Sequence, residues 1–270
     1  MSVRALQCCI NEWAFNPLAS ISYSIVKGGI LFLSFAQKSH LPTMKDRYDY
    51  KNEKAVPNPL LEPEHTRNWS IGYSHMLPYK TMFQVDLFRS DVYDAIEKTF
   101  VPEPIDGLCP KADLDGFCEK SINVGDEVHQ GVEFLIRSNA FSHLTLDLNY
   151  SYLSRSISGP EEMPPVYPTG TPKHKTVGTA NIALPGNVFV TATARYEHGT
   201  IGNFTLNEDG TIQRLPGSNF ATMDLGVILP FYGGARFQIG VDNLFDRYYY
   251  YREGYPRAGR NWFFNMKYRF

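Results

Sequence analysis

The sequence predicts an all-β chain: part of a transmembrane up-and-down antiparallel β-barrel, with about eleven strands. Three observations lead there. In the last ten residues Trp262, Phe264, Met266, Tyr268 and Phe270 fall on one side of a period-two pattern, and Asn261, Asn265, Lys267 and Arg269 on the other, with one fault at Phe263. The apolar side is the more aromatic one, which suits a strand between lipid and a wet lumen. Strand-like segments come in pairs, with tight turns within a pair and long connections between pairs. Finally, 17 Tyr, 18 Phe and 3 Trp bring the aromatic content to 14%, carried mainly by strand-like segments, as interfacial girdles require.

Taken in order, the first element is the apolar stretch 18–36. It is broken by Lys27, Gly28 and Gly29, so it reads as a hairpin rather than a membrane helix. Ile21, Tyr23 and Ile25 alternate with serines in its first arm, and Leu31, Leu33 and Phe35 alternate with Phe32 and Ser34 in its second. Residues 1–17 lack the apolar core and small-residue cleavage site of an export signal and stay unassigned. Tight turns fall at 27–29, 76–78, 138–141, 184–187 and 230–234, and long connections at 38–65, 100–121, 157–173, 200–218 and 245–258. That is the layout of an outer-membrane barrel, with short periplasmic turns and long outer loops.

The middle strands carry the same repeat. Leu144, Leu146, Leu148, Tyr150 and Tyr152 oppose Thr145, Asp147, Asn149 and Ser151. Val188, Val190, Ala192, Ala194 and Tyr196 oppose Thr191, Thr193, Arg195 and Glu197. Val132, Phe134 and Ile136 oppose Glu133 and Arg137, and the segments 221–229 and 236–242 alternate in the same way. The phase of 175–184 is ambiguous. Charges recur on the hydroxyl-rich side, which a water-filled interior tolerates and a dry core does not.

A formal net charge of -2 with scattered Lys and Arg points to no nucleic-acid partner. No nucleophile elbow, phosphate-cradling glycine loop or zinc-binding histidine pair is present, so neither an enzyme, a cofactor nor a metal site is expected. Cys109 and Cys118 bracket a Pro/Asp/Gly-rich segment without further zinc ligands at suitable spacing, and read as a loop disulfide in an oxidising compartment. Asp113 and Asp115, and the pair Glu208 and Asp209, lack the spacing of a calcium loop; Asp209-Gly210 suits a hairpin tip.

The run VDNLFDRYYYYREGYPRAGRNWFFNMKYRF, from Val241 to Phe270, closely resembles the closing signature of TonB-dependent outer-membrane receptors. Asn243, Leu244, Phe245, Asp246, Tyr255, Pro256, Gly259, Arg260, Tyr268 and Phe270 match that pattern. NPLLEPEHTRNWSIGYS from Asn58 and SFAQKSHLPTMKDRY from Ser34 resemble earlier parts of it, so the similarity runs from about residue 18 onward. The resemblance implies a bacterial outer-membrane protein taking up a scarce nutrient such as a ferric siderophore, haem or cobalamin. Its implied partners are outer-membrane lipid, the barrel-assembly machinery, which reads Tyr268 and Phe270, and the TonB complex, which acts through a plug region. The rival reading is a non-transporting outer-membrane barrel whose loops form a binding or adhesion surface.

Family members have about 22 strands around an amino-terminal plug. Residues 18–270 hold roughly half that number and resemble the carboxyl-terminal portion, plug absent, as from a truncated or split reading frame, with a separately encoded amino-terminal half as a possible partner. Parity agrees: the first and last of eleven up-and-down strands point the same way, whereas bacterial single-chain barrels have even strand numbers. Alone, such a piece is expected not to transport. In the loop before the last strand, Tyr248, Tyr249, Tyr250, Tyr251, Arg252, Tyr255 and Arg257 suit two roles: contact with an anionic or aromatic chelate, or an outer aromatic girdle. Arg260 is expected at a strand top, paired with Asp242 or Glu197.

Overall fold

The computed structural model describes residues 14–50, 53–102, 109, 117–158, 170–207, 211–231, 234–252 and 254–268. Their main feature is one antiparallel sheet of eleven strands laid down in chain order. It is built from β1 (Leu18–Val26), β2 (Gly29–His40), β4 (Glu64–Leu77), β5 (Thr81–Tyr93), β8 (Glu127–Phe141) and β9 (Leu144–Ile157). It continues through β10 (His174–Leu184), β11 (Val188–His198), β14 (Phe220–Pro230), β15 (Arg236–Asp242) and β18 (Asn261–Lys267). β1 and β18 form the two edges and do not pair, so the barrel is open.

Within strand pairs the connections are short, as at Lys27-Gly28 and at Pro78 to Lys80, where Tyr79 and Lys80 take left-handed φ angles of 61° and 55°. The third turn lies beyond Phe141 rather than at 138–141, because β8 stays paired through an irregularity between Ser138 and Phe141. Between pairs, the long connections carry structure of their own. The first holds the short helix α1 (Met44–Tyr48), capped by Thr43 and Asp46, and β3 (Ala55–Val56). β6 (Ile96–Pro102) and β7 (Phe117–Asn123) form a hairpin that β3 joins; β12 (Ile201–Leu206) pairs with β13 (Ile212–Pro216), and β16 (Tyr250–Arg252) with β17 (Tyr255–Pro256). Strands β4, β5, β8 and β9 have 13 to 15 residues, more than the roughly 9–11 a tilted strand needs to cross a bilayer, so they project past it toward the loops.

Register sorts the side chains into two faces. One row runs Ile21, Leu33, Ile71, Leu87, Val132, Tyr152 across six strands. The next row, on the opposite face, runs Ser22, Phe32, Gly72, Asp86, Glu133, Ser151, Lys175, Glu197. The ambiguous segment is thereby resolved: Lys175 lies with the polar row, and His174 joins Tyr152 on the apolar one. The apolar face is uncovered, with Ile21 65%, Trp262 66% and Met266 62% exposed. The buried cluster of Val92, Ala95, Ile122 and Val124 sits instead at the base of the β6–β7 hairpin. A sheet whose apolar face meets no protein needs hydrocarbon against it.

Phe263, the fault in the terminal pattern, is on the polar face opposite Gly240. Its ring occupies the space where a Cβ on Gly240 would stand. Phe32 lies over Gly72 and Phe88 over Gly131 in the same way. Each ring covers the bare backbone of a strand glycine, a contact that strengthens glycine-containing strands.

Candidate ligand-binding face

The run from Asn243 to Arg260 folds as a hydrogen-bonded knot at the loop end of the sheet. Asn243, 3% exposed, turns the chain out of β15 with a left-handed φ of 51°. Its N–H donates to Asp224 Oδ1 (2.8 Å), its Nδ2 donates to the Arg247 carbonyl (2.8 Å), and its Oδ1 accepts from the Arg247 N–H (2.9 Å). The Asp246 N–H donates to the Asn243 carbonyl (2.8 Å), and Asp246 Oδ1 accepts from the Arg260 N–H (2.7 Å). A Cβ on Gly259 would stand 2.5 Å from that carboxylate oxygen, so a side chain there would push Asp246 off the Arg260 N–H. The partner of Arg260 is thus Asp246, through the backbone, rather than Asp242 or Glu197; Glu197 instead lies 4.0 Å from Lys175 Nζ. The turn keeps the Arg260 N–H against Asp246 in a way that sequence separation does not reveal.

The knot sets the tyrosines on alternating sides. Tyr249 is buried with its ring 4.3 Å from that of Phe220, and Tyr251 approaches Phe220 edge-on at 5.7 Å. The Arg257 guanidinium lies 5.7 Å from the Tyr251 ring centroid, within cation–π range. Burial pushes the Tyr251 phenol above its ordinary pKa, so it serves as a neutral hydroxyl. Tyr248 and Tyr255 are exposed, and Tyr248 contacts Tyr250. The seven residues singled out from the sequence therefore divide: Tyr249 and Tyr251 pack against Phe220, while Tyr248 and Tyr255 lie largely exposed. The side chain of Arg252 lies outside the described residues, as do Phe270, Asp113, Asp115, Glu208, Asp209 and the segment 1–13. Tyr268 follows the end of β18 and is exposed.

Cys109 and Cys118 are fully buried and joined as a disulfide with a Cα separation of 6.3 Å, which ties Cys109 to the start of β7. Nearby, a charged cluster that linear patterns do not betray gathers residues from β6, β8 and β9. Arg155 Nε donates to Glu127 Oε1 (2.9 Å) and to His129 Nε2 (3.1 Å), and its Nη2 lies 3.7 Å from Glu97. Burial, then repulsion from Glu127, pushes the Glu97 carboxyl up to about 7, against the pull of Arg155. Lower in the lumen a cavity of about 440 Å³ is lined by Gln84, Asp86, Glu133, Asn149, Ser151 and Lys175, polar groups brought together only by strand register. Among the described residues no group of three or more potential metal ligands forms.

A family model described as TonB dependent receptor-like, beta-barrel, matches residues 9–244, beginning ahead of β1 and ending inside the Asn243 knot. No curated protein matches the chain. Among solved structures, the FrpB iron transporter from Neisseria meningitidis is 14% identical with a TM-score of 0.70, covering 94% of this chain and 39% of that one. The ferric-catecholate import receptor Fiu from E. coli K12 is 17% identical at TM-score 0.66, covering 92% and 34%. The copper transporter OprC is 15% identical at TM-score 0.69, covering 92% and 38%. The chain therefore spans about two fifths of the length of such receptors or less. With its lipid-facing apolar sheet, polar inner face and long outer loops, the chain belongs to the TonB-dependent receptor β-barrel family of the outer membrane.

Proposed function

We propose that this chain is the carboxyl-terminal barrel portion of a receptor that imports a scarce nutrient, of the ferric siderophore class, across the outer membrane. The observation that carries the reading is the open sheet itself: eleven strands, the family's two-faced register and both edges left unpaired. The solved transporters that it resembles at 14–17% identity carry iron, ferric catecholate or copper, which supports a metal-chelate cargo. Exposed Tyr248 and Tyr255, with Arg257, offer aromatic and cationic contacts at the loop end where cargo arrives. Energy reaches such a receptor through a plug that engages the TonB complex, so the chain by itself binds without transporting. Completion of the sheet requires further strands, supplied by an amino-terminal portion.

The test is uptake of radiolabelled ferric siderophores by cells lacking their own receptors. Uptake is expected when this chain is present together with an amino-terminal plug and half-barrel, and not with this chain alone. Energy-dependent uptake by this chain alone overturns the split of roles, and no uptake of any chelate by the completed receptor overturns the cargo.

A further inference from the structure

The loop sheet of β6, β7 and β3 joins the barrel through two short links, Asp94-Ala95 ahead of β6 and Val124 to Asp126 after β7. Each link holds one residue with a left-handed φ, Asp94 at 56° and Gly125 at 83°. The Ala95 N–H donates to the Gly125 carbonyl (3.1 Å) and the Val124 N–H to the Ala95 carbonyl (2.8 Å), so the links leave the rim side by side. Asn123 pins the same place, its Nδ2 donating to the carbonyls of Glu62 (3.0 Å) and Asp94 (2.8 Å). Paired links of this kind can act as a hinge, because a few residues at element ends absorb the backbone rotation.

Beyond the hinge, the arm touches a second loop hairpin. Phe100 of β6 is buried, with its ring 5.4 Å from that of Phe204 of β12. In the barrel sheet β8, β9, β10 and β11 all stand between the loops that carry these rings, so the contact spans four strands instead of linking neighbours. A cavity of about 300 Å³ has Arg155 on its wall near the hinge, and Lys173, Thr200, Ile201 and Arg214 on its wall toward the β12–β13 hairpin.

Charge at the foot of the arm is unevenly matched. Glu97 of β6 faces Glu127 and His129 of β8, Arg155 of β9 and Glu64 of β4. Arg155 sends both Nε and Nη2 to Glu127 Oε1, whereas Glu97 lies 3.7 Å from Nη2, beyond a hydrogen bond. His129 Nε2 also lies against Glu127 Oε1, at 2.5 Å, and Glu64 accepts from the Ile96 N–H at 3.2 Å. An ionised Glu97 therefore meets two carboxylates in a largely dry place, beside a guanidinium committed to one of them. A proton removes the conflict, and burial together with repulsion from Glu127 accordingly pushes the Glu97 carboxyl up to about 7.

We propose that the β6–β7 hairpin is a proton-controlled arm: with Glu97 neutral it rests on the rim and clasps β12–β13 through Phe100 and Phe204, and with Glu97 ionised it turns about Asp94 and Gly125, parting the two rings and widening the cavity between the hairpins. β3, paired with β7 at Ala55 and Val56, travels with it. A carboxyl held at about 7 in the docked arm and at the ordinary 4.5 in the released one favours docking fully below about 4.5, and that preference is lost as pH rises through 7. No cargo takes part, so the arm goes beyond the receptor reading and its test stands apart from uptake.

The experiment measures the gap between the hairpins by double electron–electron resonance on the whole chain in detergent micelles. Spin labels are carried by Lys98→Cys on β6 and Gln213→Cys on β13, both exposed positions, in a chain with Cys8→Ser and Cys9→Ser. Lys98 alternates with Glu97 along β6, so its label stands on the other face of the hairpin. A short distance is expected at pH 5, and the ratio of short to long distances should fall about tenfold for each pH unit between about 5 and 7. Glu97→Gln, which keeps the shape of the side chain and cannot ionise, should hold the short distance up to pH 8. Phe204→Ala should lower the ratio at every pH and leave its slope unchanged. Far-ultraviolet circular dichroism should stay constant over the same range, which separates a moving arm from an unfolding barrel. One distance at all pH values, a pH response that persists in Glu97→Gln, an unchanged ratio in Phe204→Ala, or loss of the β signal between pH 5 and 8 overturns the proposal.

Discussion

Replacing Asn243 by alanine removes three side-chain hydrogen bonds from a buried position, the one to the Ala258 carbonyl long at 3.5 Å, and leaves the Arg247 carbonyl and N–H without their partner. At about 1 kcal/mol for each bond, and more for backbone groups left unsatisfied, the variant should lose roughly 2–4 kcal/mol. Urea unfolding in detergent, followed by Trp262 fluorescence, measures the loss; a midpoint equal to that of the parent would remove Asn243 from its role as the staple of the loop. Glu97 gives a prediction with a sign. It faces Glu127 and His129 of β8, Arg155 of β9 and Glu64 of β4, and its carboxyl sits at about 7 rather than at the ordinary 4.5. A raised carboxyl stabilises the fold while protonated, so this contribution is fully present below about 4.5 and is lost as pH rises through 7. Amide exchange in the β6–β7 hairpin should accelerate between pH 5 and 8 more than the intrinsic rate does. Glu97→Gln should remove that excess; an excess that persists in the variant assigns it to another group.

Among the elements, the pairs of phenylalanine and glycine on the polar face hold neighbouring strands in register. Gly240→Val would drive the Phe263 ring off β15, and Gly72→Val would do the same to Phe32 on β2. Overpacking of this kind is destabilising by roughly 1–3 kcal/mol. The loss should shrink, though not vanish, when Phe263→Ser is combined with Gly240→Val, because the clash with the ring then disappears while the Leu225 carbonyl, 2.8 Å from a Cβ at that position, remains; strictly additive effects in a double-mutant cycle would show that ring and glycine are not coupled. The edge strands set a different condition. β18 ends the sheet with Trp262, Phe264 and Met266 exposed and its outer backbone groups unpaired. Tyr268 and Phe270 follow, where the assembly machinery is proposed to act; deletion of Phe270 should lower the membrane yield of a completed barrel, measured by heat-modifiable migration.

For the whole molecule, the apolar face and the two open edges dictate behaviour in solution. Unpaired backbone groups in hydrocarbon are unfavourable by several kcal/mol each. The chain should therefore need detergent or lipid to stay dispersed, and should become resistant to protease only when the strands that complete the sheet are supplied. A monodisperse, protease-resistant chain in plain buffer would contradict the orientation of the sheet. Pairing two copies is not a solution, since β1 and β18 point the same way and a ring of two upright copies would bring parallel strands together at both seams.

The sequence by itself determined the strand number, the two faces and the alternation of short and long connections, because a period-two pattern is local and each strand writes its own. It also marked Asn243, Asp246, Gly259 and Arg260 as a group, without saying that a carboxylate and a backbone N–H are what unite them. The tertiary structure alone decided the phase of residues 175–184, which follows from the hydrogen-bonded register with β9 and β11 rather than from any clear alternation of their own. It also decided the place of Phe263 over Gly240, and the gathering of Arg155, Lys173, Thr200 and Arg214 around one cavity. These residues are separated by up to 59 positions, the difference of 214 and 155. Only the pairing of strands, a long-range property, brings such distances together, and no local pattern of charge or polarity records it.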